Sequence, residues 1–366
     1  LTETTPTHDN AAQPDAAKPG AGQPGAAQPG PAQPGPAQPG PAQPGTESPP
    51  AKTSDLRGTI LRLVGIAACI GIVAFFVDLD ELWKHVSAMS LPVLGLALGI
   101  NLVRMIFMGW RWKLMNTSGV DQPLSRYVLF TLASYPAMLA LPGILGFDVA
   151  RGVMIGQSTE EDRAENLISV LSDRVIGLFS VILLGTMATL VAPNFPNRWT
   201  YIGFLSVLLA AFIGGIAVSA STRVHDLVTG LLGRLGGLGA KLASIVTLWM
   251  GVVGFFKRHP KRVVMALGAC LLIHLAWFVI AWLLADNLGL DLSFFVVTTV
   301  TALSWVVLAI PVSWMGLGLN ELSFIFLLSF QGVANAPAAA LGFHQNAINI
   351  AFAIICIPVL LLVRRK

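Results

Sequence analysis

Apolar residues run through most of this chain in blocks of about twenty, the length that crosses ~30 Å of hydrocarbon at about 1.5 Å per residue. The blocks lie at 59–77, 91–110, 174–192, 201–220, 263–285, 293–312, 321–335 and 346–363. A further apolar stretch, 127–147, is broken by Pro136, Pro142 and Gly143 and reads as a re-entrant hairpin. Backbone of that kind persists at membrane depth only where protein or a wet cavity covers it. The segments do not alternate with period two over ten residues, as barrel strands would. The expected fold is an all-α polytopic integral membrane protein with about eight transmembrane helices plus re-entrant or broken segments.

Residues 1–55 follow a different pattern. Seven five-residue units of the form (A/P)(A/G)QPG run from Ala11 to Gly45, the first reading AAQPD and the second AAKPG. Regular proline with almost no large apolar side chains builds no core, so a disordered, partly polyproline-II tail is expected there. No apolar core precedes the repeats, which argues against a signal peptide. The expected division is a tail at 1–55 and a membrane domain at 56–366.

Composition agrees with this division. The chain is 54% hydrophobic and 11% charged, against about 25% charged in soluble domains. The net charge of +4 is concentrated in a few loops, a sign of topology rather than of nucleic-acid binding. Arg111, Lys113 and Arg126 precede the proposed hairpin, and Arg151 and Arg163 follow it. Seven basic residues fill 221–262, and Arg364, Arg365 and Lys366 end the chain. The alternate loops hold only Lys84 and Arg198. Eight spans and one hairpin put every basic loop on one side, so both termini are expected in the cytoplasm of a cell-membrane (inner-membrane) protein. Leucines and other apolar residues from Leu227 to Phe256 recur at steps of three and four. An interfacial amphipathic helix is therefore expected at about 224–256, either packed on the bundle rim or sensing lipid.

The polar exceptions inside apolar runs carry the chemistry. Asn101, Arg104, Met108 and Arg111 share one helix face. Arg104 either snorkels to the headgroups or holds a lipid phosphate with its planar fork. In LPGILGFDVARG (141–152), Pro142, Gly143 and Gly146 are expected to break the backbone before Asp148 and Arg151. Asp148 could cap a helix or pair with Arg151. Asp173 and Arg174 open the next span; adjacent residues point about 100° apart, so Asp173 should meet Arg104 or Arg151 from another segment. In IPVSWMGLGLNE (310–321), Pro311, Gly316 and Gly318 interrupt a second run before Asn320 and Glu321. Both segments read Pro, Gly, Gly, acid, a weak internal repeat of the sort that places binding sites at the interface of two halves. Arg104, Arg151 and Arg174 are expected to converge with Asp148, Asp173 and Glu321 on one cavity.

The enzyme motifs HExxH, GxSxG and a nucleotide-binding glycine loop do not occur, and the six histidines are scattered. Cys69, Cys270 and Cys356 all lie in apolar runs without CxxC spacing, so neither a disulfide framework nor a zinc site is indicated. No enzymatic activity, cofactor or metal is expected.

Four blocks in order, RMIFMGWRWKLM (104–115), LPGILGFDVARG (141–152), SVLSDRVIGLFSV (169–181) and IPVSWMGLGLNELSFIFLLSFQGV (310–333), resemble the signature blocks of the lysylphosphatidylglycerol synthase transmembrane-region family. The family's Gly-Gly-Asp is Gly146-Phe147-Asp148 here, its Glu-Arg is Asp173-Arg174, and Trp314-Met315 precede Gly316. The resemblance implies a lipid-flippase-like domain over 58–366. Larger members append an aminoacyl-transferase domain; with this chain closing at Lys366, lysyl transfer is not expected. It marks Arg104, Arg111, Asp148, Arg151, Asp173, Arg174 and Glu321 as the family's charged positions. The expected partners are therefore membrane lipids, with an anionic phospholipid or polyprenyl-phosphate lipid moved between leaflets. The alternative is a membrane scaffold or accessory subunit for envelope-biosynthesis proteins, in which the Pro-rich tail is the working part.

Overall fold

The apolar blocks fold as helices, and the chain turns where proline, glycine or a polar cap interrupts them. The computed structural model describes residues 71, 73–75, 77–116, 122–140, 145–154, 160–192, 195–232, 236–308 and 316–364. All of them belong to one unit, Ser54–Lys366. The tail, most of the first predicted span and the residues Pro142, Gly143 and Pro311 lie outside the described residues.

Fourteen described helices follow in order. They are α1 (Leu79–Ser87), α2 (Leu91–Met115), α3 (Leu124–Ser134), α4 (Ala137–Ala140), α5 (Leu145–Met154), α6 (Glu160–Val191) and α7 (Arg198–Ser219). Then come α8 (Thr222–Leu232), α9 (Gly236–Arg258), α10 (Pro260–Asn287), α11 (Phe294–Leu308), α12 (Leu319–Ser329), α13 (Asn335–Ile355) and α14 (Ile357–Arg364). The fold is α-helical, with five segments long and apolar enough to cross a membrane: α2, residues 165–191 of α6, α7, α10 and the α13–α14 stretch. This is a multi-pass membrane protein.

Two further predicted spans are shorter. Helices α11 and α12 have 15 and 11 residues, or about 22 and 16 Å of rise, less than the hydrocarbon thickness. They pack on each other as the arms of a broken pair. The predicted hairpin at 127–147 is likewise divided among α3, α4 and α5, with α3 packed on α5. Hydropathy also misplaced some ends. Helix α6 begins at Glu160, so Asp173 and Arg174 sit well inside it rather than at its mouth. Its first turns are polar, which hides them from an apolar-run reading. The last long helix begins at Asn335 rather than at 346, so the stretch read as a loop at 336–345 is helical.

The 224–256 stretch forms two helices, α8 and α9, rather than one. Gly236, the first residue of α9, has φ +60°, a left-handed conformation that one continuous right-handed helix would not contain and that glycine adopts without steric cost. Helix α1, unforeseen, is capped by the Asp78 carboxylate, which accepts from the Asp80 and Glu81 amides at 2.9 and 3.0 Å. It packs on α13 through Leu82, Ala336, Ala339 and Ala340.

The core is centred on α10, which packs most extensively on α2. Ala266, Ala269, Cys270, Ile273, Trp277, Ile280, Ala281 and Leu284 recur at steps of one, three and four along its buried face. Helix α7 has Phe204, Val207, Ile213 and Val218 at least half exposed, as expected of a lipid-facing surface.

Candidate functional site

The sequence-predicted residues fall into three polar centres. The first joins three elements. Arg111 comes from α2, Asp148 and Arg151 from α5, and Asp173 and Arg174 from α6. Arg111 Nη2 donates to Asp173 Oδ2 at 2.9 Å, and its Nε lies 2.5 Å from Oδ1 in a contact poorly aligned for a hydrogen bond. Arg151 Nη2 bridges Asp173 Oδ2 at 3.2 Å and Asp148 Oδ1 at 2.5 Å. Arg174 closes the chain on Asp148 Oδ2, with Nε at 2.6 Å and Nη2 closer. Three arginines and two aspartates thus alternate, with one positive charge in excess. Asp173 does meet Arg151, as expected; its other partner is Arg111, not Arg104.

Burial grades this row. The Arg151 side chain is 1% exposed and that of Arg174 36%. The Arg151 guanidinium carbon lies 4.4 Å from the Phe147 ring centre and 5.1 Å from that of Trp112, so two aromatic faces hold it as well as two carboxylates. Phe147 therefore serves as one wall of this arginine's slot. Gly146 lies within the first turn of α5 and breaks nothing there. On α6, Asn166, Ser169 and Ser172 are buried, and the Asn166 Nδ2 and the two serine hydroxyls have no hydrogen-bond partner.

The second centre surrounds Arg104, which is 7% exposed. Its Nε donates to Asn101 Oδ1 at 2.8 Å and its Nη2 to the Tyr135 hydroxyl at 3.4 Å. The guanidinium carbon stands 4.6 Å from the Trp277 ring centre. Among the described residues no carboxylate pairs with Arg104. Tyr135 in turn donates to Asn349 Oδ1 at 2.9 Å, and Trp277 Nε1 to Gln345 Oε1 at 3.3 Å. The Asn101 and Gln345 side-chain NH2 groups are buried without an acceptor. The spare hydrogen-bonding capacity here consists of donors, and the one formal charge is positive.

The third centre is Glu321 on α12, which is fully buried. Its Oε2 accepts from the Gly318 amide at 2.6 Å and its Oε1 from Asn346 Nδ2 at 2.8 Å. Asn320 accepts from Ser304 Oγ at 2.9 Å and donates to the Gly342 carbonyl at 3.2 Å. Gly316 and Gly318 both have φ +80°, so this predicted break is a genuine left-handed turn that side chains would strain. Glu321 makes no ion pair among the described residues. The expectation of one six-membered cavity is thus corrected: four of the six, with Arg111, form the ion row, while Arg104 and Glu321 keep separate neutral partners.

Sequence reasoning missed Gln345, Asn346 and Asn349, which put one helix, α13, in touch with both the Arg104 and Glu321 centres. Three amides within five residues of an apolar run were the available signal. It also missed Tyr135 and Trp277, whose aromatic character reads as ordinary core. His274 lies nearby, its Nε2 at 3.2 Å from the Gly177 carbonyl; a carbonyl only accepts, so Nε2 carries the proton.

The lysylphosphatidylglycerol synthase TM region profile matches residues 61–356, a span that includes all three centres. The chain belongs to this family. Membership in the lysylphosphatidylglycerol synthase TM region family suggests a function connected with membrane lipid. Comparison with curated proteins gives no match, and neither does comparison with solved structures.

Proposed function

We propose that this protein binds an anionic lipid headgroup, of a phospholipid or a polyprenyl phosphate, and moves it between leaflets without covalent chemistry. The observation that carries this reading is Arg104. An arginine in the hydrophobic stretch of a long apolar helix is costly unless something offsets its charge. The acids that could do so are engaged elsewhere, Asp148 and Asp173 with three other arginines. Around Arg104 the unused groups are the donors of Asn101 and Gln345, which suit phosphate oxygens. A planar guanidinium offers such an anion two parallel hydrogen bonds.

In this reading the ion row is the frame. It ties α2, α5 and α6 together and leaves Arg104 as the cation free for cargo. Both termini face the cytoplasm of the cell membrane, because Lys257, Arg258, Lys261 and Arg262 at the α9–α10 junction lie on the basic side of the loop pattern. Cysteine labelling at Ser48 from outside intact cells would overturn that orientation.

Native mass spectrometry of the purified protein and its Arg104→Ala variant tests the lipid reading. The expected result is an anionic lipid retained by the parent and lost from a folded variant. Equal retention by both would remove Arg104 as the ligand.

A further inference from the structure

We propose that Glu321 is a proton-binding site whose protonation accompanies lipid movement, a coupling that rests on the lipid reading above. The first support is burial without a counter-ion. Glu321 has no solvent exposure, and its partners are an amide N–H and a side-chain amide. A carboxylate removed from water with no cation is the costly state, and taking up a proton relieves it. The two donors favour the ionised form instead. A group held between these opposing effects can exist in both states.

Among the described residues, the helices packed on α12 bring no charge to Glu321 that would fix one state. Helix α12 carries Glu321 alone among ionisable residues, helix α11 carries none, and the connection 309–318 has none in its sequence. Helix α13 carries His344, whose Nε2 lies 3.1 Å from the Val86 carbonyl and therefore donates to α1. The contrast with Asp148 and Asp173, each touched by two arginines, is complete.

A second, independent support is a row of hydroxyls on α11. Thr298, Thr301 and Ser304 follow at three-residue steps and are buried at 4%, 0% and 0% exposure. Ser304 bonds to Asn320, the neighbour of Glu321, while the Thr298 and Thr301 hydroxyls have no partner. Hydroxyls both donate and accept, so such a row can relay a proton, or order water that does, from the N-terminal end of α11. The step is simple in its balance. An O–H bond forms at a Glu321 oxygen with a proton from water on one side, and it breaks when the proton returns to water on the other. Nothing is oxidised.

Capping offers a plainer account of Oε2, since a Glu at the third helical position often binds back to the cap amide. It does not account for Oε1, held by Asn346 from another helix. A neutral glutamine would cap equally well, and that separates the two accounts.

The test uses the full chain, first in detergent. Infrared spectra across pH should show the carbonyl band of a protonated carboxylic acid that fades on alkalinisation and is absent from Glu321→Gln. A band unchanged by that substitution, or no titrating band at all, overturns the proposal. The second measurement uses liposomes containing fluorescent phosphatidylglycerol and an imposed pH gradient. The parent should respond to the gradient, Glu321→Gln should lose the response while keeping its melting temperature, and Glu321→Asp should retain part of it. An undiminished response in Glu321→Gln overturns the coupling. If the parent moves no phosphatidylglycerol, that lipid is rejected as cargo and the infrared band still decides the proton site.

Discussion

The two broken segments carry the same sequence pattern, proline and glycines followed by an acid, yet they place that acid in opposite electrostatic surroundings. Asp148 sits between Arg151 and Arg174. Glu321 sits between a backbone amide and an asparagine. Each broken segment also meets a glycine of a long helix. Gly109 of α2 lets α3 approach so closely that a Cβ there would stand 2.8–2.9 Å from Val128, and Gly342 of α13 does the same for α12, 3.0 Å from the Glu321 Cα. The lesson is that one sequence pattern puts an acid near the start of a helix in both places, while neighbouring helices decide whether its charge is paired.

That contrast can be broken by substitution, and the largest effect should come from Asp173. Asp173→Ala leaves Arg111 and Arg151 without their shared acceptor. Loss of one member of a desolvated pair costs about 3–5 kcal/mol, so folded yield and melting temperature in detergent should both fall sharply. A variant with unchanged melting temperature would show that the row is not structural. Exchanging the charges of Arg111 and Asp173 should recover little, because Arg151 would then face a second cation in place of its acid.

Next come the glycines. At Gly109 the neighbouring atoms include Val128 backbone, which cannot rotate away. Gly109→Ala should cost on the order of 1–3 kcal/mol and shift the melting temperature more than Gly342→Ala, whose added methyl meets slightly more distant atoms. The reverse order would mean that the second segment is the more rigid of the two.

Arg104→Ala should be milder for folding than Asp173→Ala, since no carboxylate is orphaned by it; the loss there is of a cation–π contact and two hydrogen bonds, about 2 kcal/mol or less after relaxation. Its main readout is lipid retention. The smallest expected change is at Arg174, about a third exposed. Arg174→Ala should cost about 0–1 kcal/mol, and its effect should shrink in high salt. A large loss there would place Arg174 deeper in the structural row than its exposure implies.

Much of this was legible in the chain. Charges within apolar runs stand out, so Arg104, Arg111, Asp148, Arg151, Asp173, Arg174 and Glu321 could all be marked. Which of them meet could not be read, because Arg111, Asp148 and Asp173 come together only through the packing of three helices. Helix ends were also hidden. Apolar residues continue past Ser329 with Phe330 and Val333, so a hydropathy window blurs the point at which α12 stops. Uncharged amides such as Asn346 and Asn349 weigh little against an apolar background, although their bonds cross between helices.

Asn346 and Asn349 are three residues apart on α13 and share a face. One holds Glu321 and the other the tyrosine that touches Arg104. A small turn of α13 about its axis cannot alter one grip without altering the other. Binding equilibria joined in this way are reciprocal. In the proposed reading, by whatever factor an anion at Arg104 changes the affinity of Glu321 for its proton, the proton must change the affinity of Arg104 for the anion by the same factor.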